Sequence, residues 1–283
     1  MKIVKSIQQM QKISGQLGAD GKVIALVPTM GALHEGHLSL VRRAKKLADI
    51  TVVSIYVNPA QFGPGEDLGK YPRTLSEDKR KLRYLGVDYI FLPSNEIIYP
   101  EGYETYINLE RISKKLEGQF RPVHFRGVAT VVAKLFNIVR PDMAVFGQKD
   151  FQQSVIIKKL VCDLNLPVKI VVSQTVREKS GLAMSSRNKY FSPEQKERAT
   201  VLYNSLRLAR RMISEGECDS AKIRQAMRKL INRTPGTRID YIAITDNSNL
   251  DSLRKVRGKF TISVAVWLDE VRLIDNISIH LKS

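Results

Sequence analysis

The chain has 283 residues, 43% apolar and 26% charged, with a formal net charge of +18. That length allows one large domain or two ordinary ones with a real core, and the composition is that of a soluble globular protein. No apolar run approaches the roughly 20 residues of a membrane span, the opening MKIVKSIQQMQKISGQ lacks a leader's apolar core, and Cys162 and Cys218 have no C-x-x-C spacing, which argues against a disulfide framework or zinc ribbon and for a reducing cytoplasm.

The basic excess is evenly spread. Residues 1–176 hold 25 basic and 16 acidic side chains and residues 177–283 hold 21 and 12, which is +9 in each part. Such charge raises nucleic acid as a partner. Without a basic tail or an arginine block, it reads instead as a solvated face or a field that gathers small anions. No nucleic acid and no membrane is expected among the partners.

Along the chain, VIALVP (23–28) is a short apolar run, and residues 37–48 follow with Leu40, Ala44, Leu47 and Ala48 on one helical face. ITVVSIYVN (50–58) is almost continuously β-branched, the pattern of a strand buried on both faces of a parallel sheet. This is a βαβ unit, with a right-handed crossover expected. The alternation continues with a helix over 74–85, a strand over 87–93, a helix over 127–139 and a strand over 143–147; a helix over 151–165 and a strand over 168–173 complete it. The grammar changes after TVREKSGLAMSSRN (175–188). Ser192 and Pro193 suit a helix cap and first turn, and further helical stretches follow. RIDYIAI, FTISVAVWL and VRLIDNISIH then read as strands, with a hairpin turn at Asp269–Glu270. The expected fold class is α/β: a doubly wound, Rossmann-like parallel sheet over 1–176, with a smaller α+β domain over 177–283.

In an open parallel sheet, ligands bind beyond the carboxyl ends of the strands. PTMGALHEGH lies there, between the first apolar run and a helix. It admits three readings: a metal site, a packed glycine turn, or a seat for polyphosphate. No Cys, His or carboxylate cluster is nearby to complete a metal shell. A turn would suffice for a lone H-x-G-H, yet half of the chain's 4 histidines fall here. Helix N-termini favour phosphate, Gly31 and Gly36 permit close backbone approach, and the imidazoles of His34 and His37 can donate to phosphate oxygens. Lys149-Asp150, just past a strand and before a helix, is better placed for function than an ordinary surface ion pair.

His34-Glu35-Gly36-His37 after a strand resembles the His-Ile-Gly-His signature of the nucleotidyltransferase superfamily, which includes class I aminoacyl-tRNA synthetases; GLAMSSRN (181–188) looks like its mobile cation-bearing loop, with Arg187 as the cation. The match narrows. PTMGALHEGHLSLV, VSIYVNPAQFGPGEDLGKYPRT, RPVHFRGVATVVAKLFNIVRPDMAVFGQKDFQQ, TVREKSGLAMSSRN and RLIDNISI, in that order, resemble the pantoate–β-alanine ligase family over nearly the whole length. The one visible departure is Gln148, where many members carry glutamate; with Lys149 and Asp150 kept, little effect is expected.

The resemblance implies ATP-dependent joining of pantoate to β-alanine through a pantoyl-adenylate, by a cytoplasmic homodimer, with Mg²⁺ held mainly by the ATP phosphates and no protein metal ligands. His34, His37, Lys149 and Arg187 would be the catalytic set. ATP would be held by Met30, Gly31, Ala32, Leu33, His34, Glu35, Gly36 and His37, and by Gly147, Gln148, Lys149, Asp150, Val176, Met184, Ser185, Ser186 and Arg187. Gln61 and Gln153 would bind pantoate, with Gln61 also near β-alanine. Met30 and Phe62 could supply apolar walls, and Asn58 and Tyr71, which would also bind substrate, flank a Gly/Pro-rich stretch suited to close over an intermediate that water would destroy. His124 and Arg126 read as architecture. Two other classes compete with this one: another adenylate-forming or tRNA-linked enzyme of the superfamily, and a non-enzymatic nucleic-acid binder. The C-terminal part is short for an anticodon module, and no nucleic-acid-binding module is recognised.

Overall fold

The computed structural model describes residues 1–281. The chain divides into two compact units, Met1–Gly147 with Ile156–Gln174, and Gln148–Val155 with Thr175–Ser283.

The first unit contains β1 (Lys2–Val4), α1 (Ile7–Ala19), β2 (Ile24–Thr29), α2 (Glu35–Lys45), β3 (Ile50–Ile55), α3 (Leu75–Tyr84), β4 (Tyr89–Phe91), α4 (Asn95–Ile98), α5 (Glu117–Phe120), α6 (His124–Val139) and β5 (Met143–Gly147). Helix α7 (Phe151–Asp163) has its first residues, through Val155, in the second unit; β6 (Lys169–Ser173) returns to the first. All six strands are parallel, in the order β1-β4-β3-β2-β5-β6. From β2 the chain moves outward through β3 and β4, then comes back to place β5 on the other side of β2. The order therefore reverses between β2 and β5, where the carboxyl ends of strands leave a crevice for ligands.

The sheet is doubly wound. On one face Met10 of α1 and Val128, Val131, Val132 and Leu135 of α6 pack with Leu26 and Val52. On the other, Leu40, Val41 and Ala44 of α2 and Leu82 of α3 pack with Val27, Val53 and Ile90. Strands β2 and β3 are apolar on both faces because both faces are covered. Four elements lie outside the sequence reading: α4 and α5 are single turns, β1 is only three residues long, and α1 is rich in glutamine, though Ser6 caps it by accepting the Gln9 N–H. Helix α6 starts three residues before the expected Gly127, and β4 spans only the middle of 87–93.

In the second unit Ser192 and Gln195 form a capping box at α8 (Pro193–Ala199), with Pro193 in the first turn. Helices α9 (Val201–Ser214) and α10 (Ser220–Ile231) follow, then β7 (Thr237–Asp246), β8 (Lys259–Leu268) and β9 (Val271–His280), an antiparallel sheet in chain order. The β8–β9 connection is the two-residue turn Asp269–Glu270, with Asp269 at φ +51°. Leu202, Leu206, Ile223 and Met227 cover Ile262 and Val264 of the sheet.

Candidate active site

The loop after β2 is held by a residue the sequence reading did not single out. Asp78 of α3 is 1% exposed. Its carboxylate accepts the backbone N–H of Ala32 (2.9 Å) and of Leu33 (2.8 Å), and the Thr74 hydroxyl (3.2 Å). Lys81, one turn on, donates to the Leu33 carbonyl at 2.6 Å. These contacts hold Gly31 at φ +84° and Ala32 at φ +50°, the left-handed region that costs an L-residue. A Cβ on Gly31 would come within 3.1 Å of Ile55 and 3.2 Å of Asp78. Nothing in the spacing of LSEDKRKL marks Asp78, since a carboxylate among lysines and arginines reads as an exposed helix face.

His34 caps α2 from an extended backbone, its Nδ1 accepting the Gly36 N–H at 3.1 Å. The Nδ1 of His37 reaches back to the His34 N–H at 3.4 Å. The rings lie 4.1 Å apart, tilted by 35°. With both Nδ1 atoms accepting, the ring hydrogen of each neutral imidazole is assigned to Nε2. The histidines thus cap the helix, each with its Nδ1 turned to a backbone N–H. Glu35 pairs with Arg42, seven residues along α2.

Gln61 and Asn58 belong to one buried network. Asn58 is 1% exposed; its Nδ2 donates to Gln61 Oε1 and to the Gly127 carbonyl, both at 3.1 Å, and its Oδ1 accepts the Tyr99 hydroxyl at 2.9 Å. Gln61 Nε2 lies 3.2 Å from Met30 Sδ. The main-chain oxygen of Gln61 accepts from Nδ1 of His124 (2.9 Å), whose Nε2 faces Arg121 at 3.3 Å; Arg121 pairs with Glu66. His124 thereby has the tautomer opposite to that of His34 and His37, and its architectural reading gains a definite object, the Gln61 backbone. Gly127 lets α6 approach this turn: a Cβ there would sit 2.2 Å from the Ala60 oxygen. Tyr71 is buried edge-on against Phe62 at 6.2 Å, and Arg126 lies 3.8 Å over the Tyr106 ring. Burial pushes the Tyr99 hydroxyl well above the ordinary tyrosine range, keeping it a donor to Asn58.

The other expected residues lie in the second unit, except Gly147, which ends β5. Gln148–Asp150 form one 3₁₀ turn. Lys149 Nζ is 4.0 Å from Asp150 and its side chain 22% exposed, so this is a loose pair. Gln153, on the first turn of α7, is half-buried. Met184 N–H donates to the Val176 carbonyl at 3.0 Å, and the Ser185 hydroxyl caps the Ser186–Tyr190 turn by accepting the Arg187 N–H at 3.3 Å. Asn188 braces this loop from inside, donating to Glu178 (2.9 Å) and to the Ala183 carbonyl (3.1 Å).

Among the described residues no helix is long and apolar enough to cross a membrane. A family model described as pantoate-beta-alanine ligase matches residues 2–278. A pantothenate synthetase from Caldicellulosiruptor bescii is 52% identical over the full length of both chains, and one from Moorella thermoacetica 48%, also over both full lengths. The crystal structure of the Thermus thermophilus enzyme superposes with a TM-score of 0.93 at 42% identity, covering 98% of this chain and 99% of that one. A Francisella tularensis pantoate-beta-alanine ligase, described as complexed with beta-gamma ATP and beta-alanine, gives 0.79 at 36% identity, covering 98% and 97%. On the fold, the ordered motifs and this full-length similarity, the chain belongs to the pantoate–β-alanine ligase family.

Proposed function

We propose that the chain condenses pantoate with β-alanine in two steps at the expense of ATP. A pantoate carboxylate oxygen attacks the α-phosphorus, the bond to the bridging oxygen of the β-phosphate breaks, and pyrophosphate leaves. The amine of β-alanine then attacks the acyl carbon and expels AMP, which retains that carboxylate oxygen. The assignment of both histidine N–H groups to Nε2 carries this reading. Two imidazoles whose Nδ1 atoms face backbone N–H groups keep their ring hydrogens on Nε2, and an N–H donor is what crowded phosphate oxygens require.

In this reading His34, His37, Lys149, Ser185, Ser186 and Arg187 act on the triphosphate. Met30 to Leu33, Glu35, Gly36, Gly147, Gln148, Asp150, Val176 and Met184 surround the nucleotide. The loop Met30–Leu33 does so by shape, since its Ala32 and Leu33 N–H groups bond Asp78. Gln61 and Gln153 read pantoate, where hydroxyl selectivity comes from paired polar groups, while Asn58 orients Gln61 and Tyr71 backs the Phe62 wall. Mg²⁺ would enter on the ATP phosphates; no group of three His, Cys, Asp or Glu is arranged to hold a metal among the described residues. A cytoplasmic homodimer is part of the proposal.

The test is pantoate-dependent exchange of labelled pyrophosphate into ATP without β-alanine. AMP and pyrophosphate are the expected products, and carboxylate ¹⁸O of pantoate should appear in AMP. ADP as product, or label in free phosphate with none in AMP, would overturn the adenylate route.

A further inference from the structure

The motif RLIDNISI contributes to the family resemblance without a role in the chemistry described so far. In β9 its Asp275 and Asn276 are 3% and 4% exposed, and each holds an irregular segment. Asn276 Nδ2 donates to the carbonyls of Gln148 (3.0 Å) and Lys149 (2.8 Å), while its Oδ1 accepts from Gln148 Nε2 (3.1 Å). Asp275 takes both arms of the Arg177 guanidinium, at 2.6 and 2.9 Å. Arg177 also donates to the Gly181 carbonyl at 3.1 Å and lies 4.0 Å over the Tyr203 ring. That same ring leaves no room at Gly181, where a Cβ would fall 2.4 Å from it at φ +94°. The two anchors are themselves joined, because Asp275 Oδ1 accepts the Asn276 N–H at 2.7 Å.

We infer that Asp275 and Asn276 are a pair of positioning residues for adenylation. Asn276 aims Lys149 by pinning its main chain, and Asp275, through Arg177, seats the loop that carries Ser185, Ser186 and Arg187. A lysine on a flexible four-carbon stem can be aimed only if its backbone is fixed, and displacing a charge-stabilising group by about 1 Å can cost about a hundredfold in rate. One strand thereby sets both cations against the same charge. The inference rests on the proposed function and adds the residues that make its cationic half rigid.

The experiment compares the parent chain with Asn276→Ala, the isosteric Asn276→Asp, and Asp275→Asn. Asn276→Asp replaces the amide nitrogen, which donates twice, with one oxygen facing two carbonyls. Pantoate-dependent pyrophosphate exchange, amide formation from supplied pantoyl-adenylate, and thermal unfolding are measured for each. Exchange should fall about thirtyfold or more, mainly in kcat, in folded Asn276 variants, and about tenfold in Asp275→Asn. For the Asn276 variants the loss in amide formation should be at least tenfold smaller, because pyrophosphate has already departed. Exchange within threefold of the parent, or in the Asn276 variants losses in the two half-reactions within tenfold of each other, would overturn the assignment. Failure of both Asn276 variants to fold would also overturn it, since the pair would then serve the domain rather than the site. A parent chain that catalyses no exchange sinks the functional reading itself, and this pair with it.

Discussion

Asp78→Ala isolates what a single buried carboxylate does for the loop under the nucleotide. The substitution leaves the N–H groups of Ala32 and Leu33 without their acceptor, in a place where Ala32 is fully buried and Leu33 nearly so. A hydrogen bond to a charged group contributes about 1.5–3 kcal/mol, so the pair is worth ~3–6 kcal/mol. Because Ala32, which has a Cβ, sits at φ +50°, the loop has an intrinsic tendency to relax once released. The assay is native-state hydrogen exchange of the peptide spanning residues 29–34, alongside urea unfolding. A loss of ~4 kcal/mol predicts a fall in protection of those two amides of about a thousandfold, with α9 and α10 in the other unit unchanged. Pyrophosphate exchange should fall with it, since His34 follows the loop directly. Protection within tenfold of the parent would refute the reasoning and show that the loop's shape is held by something other than Asp78.

Gly127→Ala should force α6 away from the turn at Ala60, at about 1–3 kcal/mol, and raise KM for pantoate with little change in KM for ATP; a shift of ATP alone would contradict the placement. His37→Ala should slow adenylate formation more than amide formation in single-turnover measurements, equal losses pointing to its capping role instead. Lys149→Ala in a folded chain should lose a hundredfold or more in exchange, about 3 kcal/mol of charge stabilisation, and near-normal turnover would remove it from the mechanism. Asp219 caps α10 by accepting the Ala221 and Lys222 N–H groups, and these bonds hold its carboxyl below the ordinary range. A depressed acid stabilises above its unfolded pKa, so the stability gap between parent and Asp219→Ala should be constant at neutral pH; it should shrink as pH falls below about 4. A gap independent of pH down to about 2 would contradict the assignment.

How much of this was legible in the sequence depends on range. The βαβ grammar, the hairpin at Asp269–Glu270 and the cap at Ser192 are local, and local patterns of apolar period and turn residue suffice to see them. Strand β1 was not legible, because three residues carry no period, and α1 hides its apolar face among glutamines. The histidine pair was visible as a motif, but its tautomers were not, since they follow from which backbone N–H groups reach Nδ1. Least legible were the residues that hold others: Asp78 bonds residues 45 and 46 positions earlier, Asn276 bonds Lys149 across 127, and Tyr99 reaches Asn58 across 41. Each looks by composition like an ordinary polar side chain, and only tertiary proximity gives it an office.

The separation between Lys149 and Asn276 also has a meaning in time. At synthesis rates of about 5–20 residues per second, the ribosome needs roughly 6–25 s to make the 127 residues between them. The Rossmann-like strands of the first unit are all made before that interval ends, so the growing chain has its histidine loop long before its lysine turn is braced. During that window the nascent protein can shape its histidine loop, while the bonds from Asn276 to the Gln148 and Lys149 carbonyls are not yet made. If Asn276 aims Lys149 as inferred, activation of pantoate would come late in biogenesis, with the emergence of β9, and a chain stalled before that strand would have its histidine loop without the brace on its lysine turn.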